Sequence, residues 1–235
     1  LVCSASDLAK LAGTLRSNSA VICKPRHASA TVWLPDDFGA FEALMSSSRR
    51  ATHRRKWRAA QRDHGEIETE FATPEPASVS QYLARLWAIE GSGWKQRSGT
   101  ALAADSRTAN FVKQVAERFS QKGMLVLAFL KIGGRDAACR LLLQERSGWF
   151  EIKIGFDEEF ARFSPGALLM HETLREGCRR GIKTYDFLGL YENWQDQWPH
   201  EVTADYRLAS YPYRLSGALA VLDDCRQAAV LFIRR

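Results

Sequence analysis

Three apolar runs, MLVLAFLKI (124–132), DAACRLLLQE (136–145) and GWFEIKIGF (148–156), succeed one another with only the turns Gly-Gly-Arg and Arg-Ser-Gly between them. Connections that short can only reverse the chain between antiparallel neighbours, because a parallel pair needs a crossover of a dozen residues or more. The centre of the fold is therefore expected to be an antiparallel meander. The next segment breaks that pattern. RFSPGALLMHETLREGCRRG (162–181) has Ala167, Met170, Leu174 and Cys178 at helical spacing and ends on Gly181, and KTYDFLGL (183–190) is again strand-like. A strand, a helix and a strand joined by a right-handed crossover place the last strand parallel to its partner. The fold class is thus α+β, a mixed sheet with an antiparallel meander and helices on both faces.

The rest of the chain supplies the covering layers. SATVWLP reads as a strand, DDFGAFEALMSSS as a helix capped by Asp36 or Asp37, and EIETEFA as a further strand. SVSQYLARLWAIEGSGW is helical, with Val79, Leu83, Leu86 and Ile89 on one face, and SRTANFVKQVAERFSQKG is a second helix closed by Gly123. VTADYRLASYPY reads as a strand and SGALAVLDDCRQAAVLFIRR as an amphipathic helix. Seven Lys/Arg lie between Arg49 and Arg62, ahead of Gly65. Arg50, Arg54 and Arg58 share a face of that helix with Trp57 free to pack inward: a solvated face, or a surface for phosphate on a lipid-linked glycan, an anionic membrane or RNA.

The formal charge of +6 over 235 residues favours an anionic partner of some kind. No apolar run approaches the roughly 20 residues a membrane span needs. The five scattered cysteines form no Cys-x-x-Cys pair, and no close His/Cys cluster exists, so no metal is expected. Dispersed cysteines suit a reducing compartment. The expected location is cytoplasmic, at most peripheral on the inner membrane face.

The start of the 162–181 segment has two readings. Ser164 as N-cap and Pro165 in the first helical position make an orthodox helix beginning. Equally, the amides of Gly166, Ala167 and Leu168, the positive helix end and the charge of Arg162 are the parts of a phosphate cradle. On GWFEIKIGF, strict alternation places Trp149, Glu151, Lys153 and Gly155 together. Glu151 and Lys153 then either line a wet cleft or pair with each other. Arg140 interrupts an apolar run, and Asp186 sits in a strand of buried character, where it serves a site or holds loop amides. Trp94 and Lys95 flank a glycine loop suited to an acceptor pocket. His171 reads as a structural histidine.

Taken together, RRATHRRKWRAAQRDHG, GSGWKQRSGTAL, IKIGFDEEFARFSPGALLMHETLREG and YDFLGLYENWQDQW resemble the GNAT acetyltransferase superfamily. The nearest branch is the CelD/BcsL-type, associated with exopolysaccharide and cellulose production and related to the Fem-type aminoacyltransferases. The superfamily loop Q/R-x-x-G-x-G/A is matched by Arg162 and Ala167, with Pro165 in place of the first glycine. Trp194-Gln195 stands where the branch has Tyr-Lys. The resemblance implies an acyl-CoA donor, acetyl-CoA first, held by Ile154, Gly155, Phe156, Arg162, Ser164, Gly166, Ala167 and Leu168. It implies Glu151, Lys153, Asp186 and Tyr191 as catalytic groups and Trp94, Lys95, Arg140 and Trp194 on a sugar or lipid-linked glycan acceptor. It also implies three segments: 1–35 as the tail of an N-terminal GNAT-like half, 36–65 as a basic linking helix and 66–235 as the acyltransferase domain. A Fem-type transferase using aminoacyl-tRNA and a catalytically silent binding module on the same fold are the alternatives.

Overall fold

The computed structural model describes residues 5–91 and 106–233; Trp94 and Lys95 lie outside the described residues. In chain order the elements are α1 (Ala5–Arg16), β1 (Ser19–Trp33), α2 (Phe38–Leu44), α3 (Ser47–His64), β2 (Ile67–Ala72), α4 (Val79–Gly91), α5 (Ser106–Ser120), β3 (Leu125–Ile132), β4 (Arg135–Glu145) and β5 (Gly148–Phe156). A 3-10 segment (Glu158–Phe163) leads into α6 (Pro165–Arg179), then β6 (Thr184–Asp186), a second 3-10 segment (Asn193–Gln197), β7 (Glu201–Pro212) and α7 (Leu215–Ile233). No helix among the described residues is long and apolar enough to cross a membrane.

The chain divides into two bodies, residues 29–203 and residues 1–28 with 204–235. The smaller body holds α1, the first part of β1, most of β7 and α7. There Arg207 and Tyr211 of β7 both donate to Asp224 of α7, at 2.9 and 2.6 Å. The larger body is the mixed α+β sheet expected from the sequence. β3, β4 and β5 form the antiparallel meander, β2 pairs antiparallel with the outer edge of β3, and β6 pairs parallel with β5. The end of β1, Thr31 to Trp33, then pairs antiparallel with β6. The Gly133-Gly134 turn between β3 and β4 needs glycine on two counts: φ is +58° and +76°, and a Cβ on Gly133 would meet the His64 carbonyl at 2.6 Å.

Each face of the sheet takes its own helices. The stripe of α4, Val79, Leu83, Leu86 and Ile89, is buried with Leu125, Leu127, Phe129, Cys139 and Leu141. Arg85 anchors that helix, donating to Glu70 of β2 at 2.9 Å and Asp136 of β4 at 2.8 Å. On the opposite face α6 buries Met170, Leu174 and Cys178 with Trp149, Leu142 and Tyr185. Gly177 permits the close approach: a Cβ there would meet Leu34 at 2.9 Å and Trp149 at 3.4 Å.

Residues 36–65, expected as a linking helix, are two helices packed in the same body. Asp37 caps α2 and Ser46 caps α3. Arg50 donates to the carbonyls of Glu42 and Met45 at the end of α2, at 3.0 and 2.7 Å. His171 of α6 is buried between Glu42 (3.1 Å) and Glu172 (3.2 Å), and the His53 ring of α3 stacks on it at 3.7 Å. His53, His171 and Glu172 bring three ligand-type atoms within 4.8 Å of one another. The cluster joins residues distant in sequence, and both His171 nitrogens already face carboxylates.

Burial, with His171 second, lowers the His53 pKa from 6.5 to about 4. The unfolded chain takes up this proton near pH 6.5 and the folded chain near pH 4, so stability falls as pH drops through that window. The loss is on the order of 2 kcal/mol once partial exposure is allowed for. Urea melts should therefore show that His53→Gln flattens this acid slope; an unchanged slope contradicts the assignment. In the same melts Gly177→Ala should cost about 1–3 kcal/mol through overpacking against Leu34 and Trp149.

Candidate active site

β6 leaves the sheet early. Its last pair is Asp186 opposite Phe150, yet β5 runs on to Phe156. KTYDFLGL is therefore a short strand followed by a turn, and not the single strand that its apolar character suggests. Leu188 and Gly189 have φ of +45° and +83°, which turns the chain away. Buried Asp186 accepts from the Leu188 amide at 2.8 Å and holds that turn. From Glu151 onward, β5 has β4 on one side and a fork on the other.

The β4–β5 ladder also changes register. Leu142 faces Glu151, but Leu141 faces Lys153, leaving Ile152 as an extra residue. A bulge reverses the alternation beyond it. Glu151 therefore stays with Trp149 on the α6 side, while Lys153 joins Gly155 and Cys139 on the α4 side. The expected shared face of Glu151 and Lys153 is overturned, and each has its own partner. Glu151 is ion-paired with Arg140 and accepts from the Tyr185 hydroxyl, all three being buried. Burial raises the Glu151 pKa, with Arg140 and Tyr185 opposing it. Arg140 also donates to Tyr185 at 3.1 Å and to the Gly166 carbonyl at 3.1 Å, tying β4 to the first turn of α6. Lys153 pairs with Glu90, the penultimate residue of α4, at 2.5 Å.

A cavity of about 270 Å³ opens at this fork. Its walls are Ile154, Gly155 and Phe156 of β5, Gly166, Ala167 and Met170 of α6, and Trp194 and Trp198, with Glu90, Cys139 and Arg140 contributing. A second hollow lies between Glu151–Ile154 and Phe187–Gly189. A third, of about 180 Å³, adjoins the first through Ala167, Gln197 and Trp198 and is lined by Arg49, His53, Lys56, Ser164 and Leu168.

The sequence-derived residues divide accordingly. Ile154, Gly155, Phe156, Gly166, Ala167, Arg140 and Trp194 line the main cavity; Ser164 and Leu168 line its neighbour. Arg162 lines neither: its guanidinium is largely exposed, pairs with Asp63 at 3.1 Å and lies over Phe163. Tyr191 donates to Asp196, which raises its pKa, and is absent from the cavity wall. Ser164 does not cap with its side chain; at φ 56° and ψ 56° it uses its carbonyl to accept from Ala167 (3.0 Å) and Leu168 (3.1 Å). Those two amides are committed, so Gly166 retains the free amide at this helix start among the described residues.

Glu90, Cys139, Met170 and Trp198 are cavity residues that sequence reasoning missed. Only Glu90 carried a signal: an acid directly after the buried stripe of α4. Burial, with Glu90 second, pushes the Cys139 thiol up to about 12. It stays protonated at neutral pH and is a poor nucleophile.

Residues 47–196 match the family described as "Acetyltransferase (GNAT) domain". No curated protein matches the sequence. Among solved structures, FemX superposes with a TM-score of 0.61 at 12% identity, over 85% of this chain and 64% of that one. A conserved protein of unknown function from Bacteroides thetaiotaomicron gives 0.60 at 12%, over 88% and 67%. L-PGS from Bacillus licheniformis gives 0.54 at 14%, over 88% and 66%. The chain thus spans about two thirds of the length of each of these structures, and the likeness is one of fold.

Removing one member of the buried pair leaves the other charge stranded, at a cost of about 3–5 kcal/mol. Thermal or urea melts should show that loss for Arg140→Met and for Glu151→Leu alone, and clearly less than their sum for the double variant. Additive losses would show that the two groups do not act as a pair.

Proposed function

As a member of the acetyltransferase (GNAT) domain family, the protein acts, we propose, on acyl-CoA, moving an acyl group, acetyl in the first instance, to an amine or hydroxyl of a sugar or cell-envelope polysaccharide precursor. This is the role expected of the CelD/BcsL-type branch. The observation that carries the reading is the cavity at the β5–β6 fork, where the open edge of Ile154–Phe156 faces the first turn of α6. An extended arm bearing amides adds to such an edge as a strand would, through main-chain hydrogen bonds. The backbone N–H groups of the edge polarise the thioester carbonyl. The acceptor attacks directly, since the one cysteine on the wall holds its proton. Positive charge for the donor's phosphates comes from Arg49 and Lys56 in the adjoining hollow rather than from Arg162. The exposed face of α3 provides peripheral contact with an anionic membrane surface.

A second reading is favoured by the likeness to FemX and by the basic face of α3: transfer of an amino acid from a charged tRNA, as in the Fem-type enzymes the sequence resembles. It predicts tRNA binding that weakens steeply with salt and no affinity for CoA.

Calorimetry with acetyl-CoA separates the two. Binding is expected for the wild type, reduced at least about tenfold by Met170→Trp or Gly166→Glu, which fill the cavity, and unchanged within about twofold by Arg162→Ala. Absence of binding, or loss with Arg162→Ala alone, contradicts the assignment.

A further inference from the structure

His53 of α3 and His171 and Glu172 of α6, none of which lines the main cavity, bring three ligand-type atoms within 4.8 Å of one another. Each has a partner that aims it. The Leu168 backbone carbonyl bonds the His53 ring, and Nε2 of that ring is buried with no hydrogen-bond partner among the described residues. The bond to Leu168 therefore falls to Nδ1–H, which puts the lone pair on Nε2. His171 Nε2 faces Glu42 at 3.1 Å, and its Nδ1 faces Glu172 at 3.2 Å. A neutral imidazole carries one N–H. With that proton on Nε2 toward Glu42, the Nδ1 lone pair meets the Glu172 carboxylate, and two acceptors at this distance repel unless a cation lies between them. A second ring proton closes that contact but leaves His53 Nε2 without a partner. A metal ion serves both.

We propose that His53 Nε2, His171 Nδ1 and a Glu172 oxygen form a site for a first-row divalent metal ion, zinc in the first instance, which staples α3 to α6. Two imidazoles and one carboxylate suit zinc, whereas magnesium and calcium take oxygen ligands. Ligands on a tetrahedral zinc stand about 3.3 Å apart, from bonds of about 2.0 Å. The spacing of His171 and Glu172, 3.2 Å, already matches. The other spacings, at most 4.8 Å, close by turning the half-buried His53 ring off the face of His171, on which it stacks at 3.7 Å. The outer partners are those that orient a metal-bound histidine: a backbone carbonyl for His53 and a carboxylate for His171. The ion takes the place of a proton at the Nδ1–Glu172 contact, so the bonds from Arg175 to Glu172, at 3.0 and 2.8 Å, stay in place. A hollow of about 440 Å³ borders the three residues, with Arg54, Arg58 and Arg175 on its wall. Water or a small anion completes the coordination there, and the arginines favour the anion. Spacing in the sequence argues against a metal because α3 and α6 bring this set together from distant parts of the chain.

The test titrates zinc sulfate into the EDTA-stripped full chain by calorimetry and reads the ligand type by cobalt(II) substitution. One ion per chain is expected, with a Kd of about 10 μM or tighter. His53→Gln and Glu172→Gln should each weaken binding at least about 100-fold, and Glu42→Gln, which acts only through the His171 ring, about 10-fold. Thermal melts without metal confirm that the variants are folded; zinc should raise the Tm of the wild type and not that of His53→Gln. The exposed Cys23 and Cys225 are the rival ligands. The cobalt spectrum should therefore lack thiolate charge-transfer bands, and the double variant Cys23→Ser, Cys225→Ser should bind zinc as the wild type does. Weaker or absent binding in the wild type, binding undiminished in His53→Gln and Glu172→Gln, or binding lost with the two cysteines overturns the inference.

Discussion

Between Leu141 and Leu142 on β4 and Glu151 and Lys153 on β5, the ladder gains an extra residue, Ile152, and β5 changes which face its side chains meet. Before the bulge, Trp149 and Glu151 serve the α6 side; after it, Lys153 and Gly155 serve the α4 side. The same stretch loses its neighbour, because β6 pairs only with Gly148–Phe150. A strand with a bulge and one open edge, set in the middle of a sheet, exposes backbone polar groups where the fold would otherwise bury them. Such a place is suited to receive a ligand that completes the hydrogen bonding.

Two charge pairs flank that edge, one on each face, the first fully buried and the second buried only at Glu90. Arg140, Glu151 and Tyr185 sit beneath the start of α6, and Arg140 reaches the Gly166 carbonyl. Their role is to hold the helix start in place against the strand, and their burial gives them structural weight. Lys153 of β5 meets Glu90 at the end of α4, and Glu90 borders the cavity. Buried pairs contribute little net stability compared with apolar packing of equal volume. Placement around one cavity is therefore the more informative property.

The periodic parts of this architecture are legible in the sequence. The meander comes from two short turns, α4 from Val79, Leu83, Leu86 and Ile89, and the crossover helix from Ala167 to Cys178. The GNAT resemblance points to β5 and α6, and residues of both line the cavity. What escapes is whatever depends on a single local irregularity. Alternation alone cannot show an inserted residue, so it puts Glu151 and Lys153 together. The left-handed Leu188 shortens β6 and makes Asp186 a turn-holding group. Ser164 in the left-handed region uses its carbonyl, which leaves fewer amides than an ideal helix start suggests. Arg162 follows its neighbour Phe163 and the distant Asp63 away from the cavity. Glu90 and Trp198 come from segments that only the tertiary fold brings to the wall.

An open strand edge at the fork, able to take up a thioester donor, is the centre of the proposed activity. Hydrogen–deuterium exchange with and without acetyl-CoA reads this edge directly. Peptides covering residues 151–156 and 164–170 are predicted to gain protection on addition of the ligand, while β2 and β3 stay unchanged. Protection confined to segments away from the fork, or none at saturating ligand, would contradict the account.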